Sequence, residues 1–323
     1  MISLRLIGKI GEYYSDVKKT EGRTPALKQI AVVNAILSYI LWGTSFSEYF
    51  GYRFWERTLP EKKTYMTRRH MFKFFDRYNP PEYRNRIGDK SVAPNYYGQF
   101  LHREQIDRDA GFDNFREYCN KHQKIFVKKK IGWGGDGDFP AEVHSEEAIL
   151  KAWSMLTDGY MAEPLIENCD QLKAIYPGSL NTIKVTVLQT PKGPVIVTAI
   201  VRFGNQTVVD NVHSGGMAAG INIETGQIET PAMDKHFQQY THHPITKEPI
   251  AGVIIPEWEA IKQLAIQASL VTPQLRYTSW DIALTSDGPV MIEGNWDAEF
   301  YMEQTLYNRG HRKLFTDMLE GLS

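Results

Sequence analysis

Cysteine is scarce in this chain, which has 323 residues and contains Cys119 and Cys169 alone. Two cysteines without a paired spacing indicate neither a disulfide framework nor a cysteine-based metal site. They predict a protein that works in a reducing compartment, and we expect that compartment to be the cytoplasm.

Long apolar runs are also lacking. The most apolar segment, IAVVNAILSYILW at residues 30–42, is interrupted by Asn34 and Ser38 and is too short to span a bilayer. The stretch MISLRLIGKI has neither the apolar core nor the small-residue cleavage site of a signal peptide. Because 42% of the residues are hydrophobic, the chain is not disordered and can bury one large or two ordinary cores.

Several catalytic motifs are missing. The sequence contains no GK[ST], which excludes a Walker A loop, and no HRD or DFG triplet, which argues against a protein kinase. It contains no GxSxG, so nothing suggests a serine acyl-enzyme. Gly132, Gly134 and Gly137 have the spacing GxGxxG, but Pro140 follows and the next helix is predicted to start at Ser145. A dinucleotide fold needs a helix that opens inside the glycine motif, so it is excluded.

Negative charge is sparse in the first part of the chain. Residues 1–90 hold 17 lysines and arginines against 9 aspartates and glutamates. This asymmetry fits either two differently charged solvated faces or a basic region that approaches an anionic glycan, lipid head group or nucleic acid. We expect no nucleic-acid partner, and a peripheral membrane contact through the basic N-terminal region stays open.

The pattern of helices and strands predicts an α+β protein in three parts. A basic helical region covers residues 1–85 and ends near the double proline Pro80–Pro81. A mixed part covers residues 86–180 and includes a flap at about 120–165. Residues 181–323 are dominated by short strands, and they include a hairpin and a C-terminal helix.

The segment KKKIGWGGDGDF at residues 128–139 combines three lysines with a glycine-rich turn. We interpret it as strand, turn and strand, so it is either a structural turn or a flap that closes over phosphates. In the second case, backbone N–H groups of Gly134, Gly135 and Gly137 are the candidate donors.

The segment SWDIALTSDGPVMIEGN predicts a hairpin with oxygen ligands at its mouth. Asp281 lies on the first strand, and Glu293 and Asn295 lie on the same side of the second strand, two residues apart. Two carboxylates and an amide form a hard oxygen set that suits Mg²⁺ together with substrate phosphates. The alternative is a hairpin that merely carries polar residues at its mouth, but the lysine–glycine flap upstream favours the metal.

Residues 88–303 contain an ordered series of motifs: GDKSVAPNYY, FVKKKIGWGGDGD, MAEPLIENCD, SLNTIKVTVL, AIVRFGNQTVVDNVHSGGMAAGIN and WDIALTSDGPVMIEGN. This series resembles the sugar-transfer associated group of the ATP-grasp superfamily. The resemblance implies an ATP-grasp fold with a helical N-terminal region, a small flap domain and a larger sheet domain. It also implies ATP and Mg²⁺ as cofactors.

The resemblance assigns roles residue by residue. It implies that Lys90 reaches the nucleotide phosphates and that Lys129 is the ATP-contacting lysine of the flap. A register shifted by one residue would put Lys128 or Lys130 in that position, because strand alternation turns them to the opposite face. The remaining implied nucleotide contacts are Glu163 with the backbone of Pro164 and Ile166 at the base, and Asp170 at the ribose.

The resemblance also implies that Lys184 and Arg202 are catalytic cations. Lys184 stands where the family more often has arginine, and a lysine cannot form a bidentate fork. Ser279 replaces the usual glycine, and the segment WDAEFY that follows Asn295 also departs from the family pattern. The candidate substrate residues are His213, Gly215, Gly216 and Asp297.

His213 either binds the acceptor substrate or is an ordinary polar residue of a loop. His242 and His243 in YTHHPITKEP lie among turn-forming residues, and we predict that both belong to a surface loop.

The activity implied by the resemblance is that of a carboxylate–amine ligase. Such an enzyme transfers the γ-phosphoryl group of ATP to a carboxylate and lets an amine attack the acyl phosphate. We expect a small-molecule or glycan carboxylate, an amino-acid amine, and a role in surface polysaccharide or glycoconjugate biosynthesis. The alternative is an ATP-grasp kinase or a nucleotide-binding protein without ligase activity.

Overall fold

The computed structural model describes residues 4–21, 28–131 and 137–322. The predicted flap residues Gly134 and Gly135 lie outside the described residues. The described chain is α+β, which confirms the predicted class, and its two sheets are antiparallel. The predicted domain boundaries stay a prediction.

Helices and strands alternate irregularly along the chain. The helices are α1 (Leu4–Glu21), α2 (Lys28–Trp42), α3 (Phe46–Gly51), α4 (Leu59–Lys62), α5 (Arg68–Tyr78), α6 (Pro81–Gly88), α7 (Pro94–Leu101), α8 (Phe112–His122), α9 (Glu146–Met155), α10 (Asp170–Ile175), α11 (Trp258–Val271), α12 (Tyr301–Leu306) and α13 (Arg312–Glu320). The strands are β1 (Ile106–Asp107), β2 (Lys124–Lys129), β3 (Phe139–Glu142), β4 (Tyr160–Pro164), β5 (Ile183–Thr190), β6 (Gly193–Phe203), β7 (Met217–Gly220), β8 (Ala232–Asp234), β9 (Gln239–Tyr240), β10 (Tyr277–Thr285) and β11 (Gly288–Asn295).

The smaller sheet has the strand order β1-β4-β2-β3. Strand β2 alternates, so Ile125 and Val127 are fully buried against residues of α8 and α9, while Phe126 and Lys128 point to the other face. Helix α9 begins after Ser145, whose side chain accepts a hydrogen bond from Ala148 N at 3.2 Å. This N-cap confirms the predicted helix start.

The larger sheet has the strand order β11-β10-β5-β6-β7-β8-β9. One of its faces is apolar and packs on α7 and α11, where Val185, Trp280 and Ile282 are fully buried. Since side chains alternate along each strand, the neighbouring residues Lys184 and Asp281 point to the opposite face. That second face is therefore the one that can carry charged groups.

The predicted hairpin is formed by β10 and β11, and Asp281 pairs directly with Glu293 in its register. Gly294 separates Glu293 from Asn295 and points to the apolar face. A Cβ at Gly294 would lie 2.6 Å from side-chain atoms of Ile87 and Trp280. Glycine is therefore required there if the two polar neighbours are to keep their position.

One histidine differs from the prediction. His242 is exposed, but His243 is fully buried, so the prediction of a surface loop is wrong for His243. Its imidazole stacks on Tyr176 with the ring centroids 4.8 Å apart, and its Nε2 is hydrogen-bonded to Gly204 O at 2.9 Å. Burial lowers the pKa of His243. These partners are distant in sequence, so the loop composition did not indicate them.

Among the helices that the structure describes, none is long and apolar enough to cross a membrane.

The N-terminal helices are attached to the rest of the molecule through Gln304 of α12. This fully buried side chain accepts hydrogen bonds from Met66 N at 2.8 Å and His311 N at 3.0 Å. It donates hydrogen bonds to Tyr52 Oη at 2.8 Å and Met66 O at 3.0 Å. All the hydrogen-bonding capacity of one amide is therefore used at this junction.

We predict that Gln304→Leu lowers the free energy of unfolding by about 2 to 4 kcal/mol, because it leaves buried backbone groups unpaired. Chemical denaturation followed by circular dichroism measures the loss. The matched control is Gln267→Leu, since Gln267 is an exposed glutamine on α11. A Gln304→Leu variant that unfolds at the same denaturant concentration as the wild type would contradict this account.

Candidate active site

A cavity of about 320 Å³ lies between the two sheets. The small sheet contributes residues of β2 and β4, and the large sheet contributes residues of β6, β10 and β11. The connection after β4 closes one side. The charged side chains that line the cavity are Lys90, Lys128, Asp138, Glu163, Glu167, Lys173, Arg202, Asp210, Asp281 and Glu293.

Glu163 sits between two cations at the small-sheet wall. Its carboxylate contacts Lys128 Nζ at 2.6 Å and Arg103 Nε at 2.8 Å, and all three side chains are almost completely buried. Burial raises the pKa of Glu163, but Lys128 and Arg103 outweigh this effect and hold the pKa at about 2. Glu163 is therefore ionised near neutral pH.

Arg103 also contacts the opposite wall. Its guanidinium donates hydrogen bonds to the carbonyl oxygens of Met291 and Ile292, the latter at 2.7 Å. These residues immediately precede Glu293 on β11. A single buried arginine thus joins the strand that carries Glu293 to the pair formed by Glu163 and Lys128. We call Arg103, Glu163 and Lys128 the interlobe junction.

Lys90 and Glu293 form an ion pair across the cavity, with Nζ 3.0 Å from Oε2. Burial raises the pKa of Glu293, but the charge and hydrogen bond of Lys90 outweigh it and hold the pKa at about 2. Burial lowers the pKa of Lys90, and Glu293 more than reverses this shift, so the pKa of Lys90 is raised. Both groups are charged near neutral pH.

Arg202 is the cation of the large-sheet wall. Its Nη2 lies 2.7 Å from Asp281 Oδ2, and its Nε donates to Thr182 Oγ1 at 3.0 Å. Asp210 lies 3.5 Å from the same Nε and accepts a hydrogen bond from Thr182 N at 2.9 Å. Burial lowers the pKa of Arg202, but Asp210 and Asp281 more than offset this effect, so the pKa of Arg202 is raised. The guanidinium is held rigidly and faces the cavity.

The hairpin residues have a donor set that suits a hard cation. Asp281 is 3% exposed, and its Oδ1 is buried without a hydrogen-bond partner. Glu293 is its direct neighbour across the strands, and Asn295 Nδ2 donates to Glu293 Oε1 at 3.4 Å. Within the described residues, no group of three or more His, Cys, Asp or Glu side chains forms a metal site. The predicted set of two carboxylates and an amide fits Mg²⁺, which binds few protein oxygens and several from its substrate.

The flap lysine predicted from sequence does not line the cavity. Lys128 lines it, whereas Lys129 lies on the opposite face of β2, where its side chain approaches Tyr160 and Gly137. Side chains alternate along β2, and Ile125 and Val127 are buried on the side of the strand that faces away from the cavity. Lys128 therefore points toward the cavity. The geometry therefore favours the shifted register with Lys128.

The connection after β4 lies where the adenine-binding segment is predicted. Pro164, Ile166 and Glu167 line the cavity. Asp170, the predicted ribose contact, is exposed at the start of α10 and does not line it. Glu167 lines it instead and forms an ion pair with Lys173 at 2.6 Å. The side chain of Glu163 is fully engaged by the interlobe junction.

The remaining predicted residues lie around the cavity or apart from it. Lys184 does not line the cavity. It pairs with Asp281 in the sheet register and forms an ion pair with Glu303 at 3.2 Å. His213 is exposed, and Asp297 is half-buried with a pKa raised by burial. Neither of these two side chains lines the cavity.

The glycines near His213 have a structural role. A Cβ at Gly216 would lie 2.3 Å from Asp210 O, so only glycine lets this loop pack against the segment that holds Asp210. Gly215 has a φ of 109°, which favours glycine. Gly216 therefore supports the position of Asp210, and a direct contact of either glycine with substrate stays a prediction.

Sequence reasoning missed Arg103, Thr182 and Glu167 as site residues. Arg103 follows α7 in the segment HREQ, which has no motif character, and its partners lie 60 and 188 residues away. Thr182 lies inside the quoted motif SLNTIKVTVL, and Glu167 is an acid close behind Glu163 in the segment EPLIE, so these two residues carried a signal in the sequence.

The family model described as sugar-transfer associated ATP-grasp matches residues 119–318. None of the curated proteins matches the chain significantly.

Solved structures are also similar to this chain, at 13% sequence identity or less for the three described below. The chain is similar to the ATP-grasp ligase PsnB complexed with a phosphomimetic precursor variant, Mg and ADP, with a TM-score of 0.46 and 13% identity over 78% of this chain and 65% of that one. It is similar to D-alanyl-alanine synthetase A from Vibrio cholerae O1, with a TM-score of 0.46 and 10% identity over 73% and 65%. It is also similar to D-cycloserine synthetase DcsG, with a TM-score of 0.48 and 12% identity over 86% and 94%. The chain thus spans just under two thirds of the length of PsnB.

The interlobe junction predicts a pH dependence of stability. The pKa of Glu163 is lowered from 4.5 to about 2 in the folded protein. The ionised carboxylate therefore contributes its full stabilisation at pH values above the pKa of the unfolded chain, and this contribution is lost as the pH falls through about 2. We expect the unfolding free energy of the wild type to exceed that of Glu163→Gln by roughly 2 to 3 kcal/mol at neutral pH. This difference should begin to shrink below about pH 4.5.

Urea denaturation at a series of pH values measures this difference. The matched control is Glu142→Gln, because Glu142 is an exposed glutamate on β3 of the same sheet. Its difference from the wild type should stay near zero at every pH. A Glu163→Gln difference that is constant from neutral pH down to about pH 3 would show that the junction does not hold Glu163 ionised.

Proposed function

This chain belongs to the sugar-transfer associated ATP-grasp family, and on that premise we propose that it is an ATP-dependent ligase that joins a carboxylate to an amine. The observation that carries the proposal is the cavity between the sheets. It gathers the cations Lys90, Lys128 and Arg202 around the paired carboxylates Asp281 and Glu293. Phosphoryl transfer needs charge neutralisation and positioning, and this site supplies both.

The cavity suggests an orientation for the nucleotide. The adenine would lie against the connection at Pro164 and Ile166, and Glu167 would take the ribose hydroxyls in place of the predicted Asp170. The phosphates would then run toward Lys128 and Lys90. Backbone donors of the glycine flap would close over them, although Gly134 and Gly135 lie outside the described residues.

Asp281, Glu293 and Asn295 would hold Mg²⁺ at the phosphate end. The unpartnered and buried Oδ1 of Asp281 supports this assignment, since a buried carboxylate oxygen without a partner is costly. The bound ion would neutralise charge on the β- and γ-phosphates. Lys90 pairs with Glu293 at 3.0 Å, and a phosphate bound in the cavity would compete with Glu293 for its ammonium group.

The chemistry itself needs no protein nucleophile. The substrate carboxylate would attack the γ-phosphorus of ATP, the bond from that phosphorus to the bridging oxygen would break, and ADP would leave. An amine would then attack the acyl carbon of the acyl phosphate, lose a proton, and expel inorganic phosphate to form the amide. Arg202 faces the space where the charge of these steps develops and would stabilise it.

Lys184 would assist from the edge of the site. It lies beside Asp281 in the sheet and is held by Glu303. A catalytic role for Lys184 therefore requires that its ammonium turn from Glu303 toward the acceptor. His213, Gly215, Gly216 and Asp297 remain candidates for acceptor binding.

The family description supports a substrate that is connected with sugar transfer. We therefore propose a glycan or small-molecule carboxylate and an amino-acid amine, joined in the cytoplasm during surface polysaccharide or glycoconjugate biosynthesis. A kinase on the same fold would release ADP without forming an amide, so the products separate the two activities.

Lys128→Met should weaken ATP binding at least about tenfold, because it removes a phosphate-facing charge from the cavity wall. Lys129→Met is the matched control, since it removes the same charge from the opposite face of the same strand. Isothermal titration calorimetry with a non-hydrolysable ATP analogue and Mg²⁺ measures both. If Lys129→Met loses affinity and Lys128→Met does not, the register assigned here is wrong.

The ligase proposal is tested by trapping the acyl phosphate. With ATP, Mg²⁺ and a panel of uronates and amino acids, we expect ADP release that depends on one class of carboxylate, and hydroxylamine should convert the activated carboxylate into a hydroxamate. Glu293→Gln should reduce this turnover on the order of 10³-fold, since it removes a preorganised charge. ADP release that transfers phosphate to a hydroxyl and yields no hydroxamate would identify a kinase instead.

A further inference from the structure

The residues that helix α2 buries most completely are small, and most of its large apolar residues are exposed, although Val32 and Trp42 pack partly on the core. Ala31 and Ala35 are fully buried and Ser38 is almost so. In contrast, Val33 is 56% exposed and Leu41 is 66% exposed. A surface helix normally buries its large apolar side chains, so this inversion points to a further partner for the outward face.

The outward residues form one continuous stripe. At 100° per residue, they fall within an arc of about 100°. Residues 30–42 contain no charged side chain that would interrupt it. We call this stripe the apolar face, and its members are Ile30, Val33, Leu37, Ile40 and Leu41.

Cationic side chains border the C-terminal end of the apolar face. Arg69 of α5 donates hydrogen bonds to Tyr39 O at 3.2 Å and Ile40 O at 3.1 Å, so the first turn of α5 lies directly beside it. Arg68 and Lys73 on the same helix are exposed. Phe72 between them is 53% exposed and lies 5.9 Å below the Arg68 guanidinium. We call Arg68, Arg69 and Lys73 the basic rim.

We propose that the apolar face and the basic rim form a docking surface for an anionic lipid bilayer. An uncharged helical face with aliphatic side chains, beside cations and an exposed phenylalanine, matches a helix that lies in the plane of a membrane interface. A second copy of the chain would offer this face the same aliphatic side chains and the same cations, whereas anionic head groups complement the charge of the basic rim. The charge of the rim therefore favours lipid over a second copy.

This inference does not depend on the ligase activity. It concerns a different part of the molecule, because α2 belongs to the N-terminal region, whereas the cavity lies between the two sheets. A membrane-bound orientation would present the enzyme to substrates that are carried on lipids.

Vesicle sedimentation of the full chain tests the proposal without nucleotide. We expect binding to vesicles of phosphatidylcholine with about one quarter phosphatidylglycerol, weaker binding to phosphatidylcholine alone, and loss of binding as salt rises from about 0.1 to 0.5 M. Leu37→Asp should weaken the binding at least about tenfold, because it puts a charge into the apolar face. Arg68→Gln with Lys73→Gln should weaken it on anionic vesicles only.

The matched control is Leu150→Asp, since Leu150 of α9 is 50% exposed and Leu37 is 47% exposed. This control should bind like the wild type. Absence of vesicle binding, or equal binding by Leu37→Asp, would overturn the proposal. A wild-type dimer that becomes monomeric in Leu37→Asp and binds no vesicles would show that a second copy covers the face. Each of these failures would leave the ligase proposal standing.

Discussion

The cleft between the two sheets depends on the ionised carboxylate of Glu163, which is buried between two cations. A buried charge is tolerated only when it is paired and its hydrogen bonds are satisfied. Glu163 meets this condition because Lys128 and Arg103 both contact it. Arg103 in turn satisfies carbonyl groups of β11. One interaction therefore fixes the inward direction of Lys128 and the distance from the small sheet to the strand of Glu293.

The alternation of apolar and polar side chains along the strands positions the charged groups of the larger sheet in a similar way. The larger sheet buries Trp280 and Ile282 on one face, so Asp281 between them must point to the other. The antiparallel register then brings Glu293 beside Asp281. Apolar packing on α11 thus determines which carboxylates face the cavity, and ion pairs with Lys90 and Arg202 compensate their charges.

The parts of the site that were predictable from sequence are those fixed by local rules. The hairpin that carries Asp281, Glu293 and Asn295 follows from a tight turn and a period of two residues. The direct pairing of Asp281 with Glu293 depends in addition on a shift of register between Asp281 and Ile282, which the sequence did not indicate. The start of α9 follows from its N-cap at Ser145. The predicted flap lysine is Lys129, whereas Lys128 lines the cavity. The register of β2 depends on which of its residues reach a core that is formed by distant helices, and the local sequence does not specify this. Arg103 gave no local signal at all, since its role is defined by residues far along the chain.

A double-mutant cycle on Arg103 and Lys128 tests the central claim that the interlobe junction positions the phosphate-facing lysine. The measured quantity is the affinity for an ATP analogue with Mg²⁺ in the wild type, Arg103→Met, Lys128→Met and the double variant. If Arg103 acts through Glu163 on Lys128, the double variant should bind about as weakly as Lys128→Met alone. Losses in binding free energy that simply add would contradict the account, because they would show that the two residues act independently.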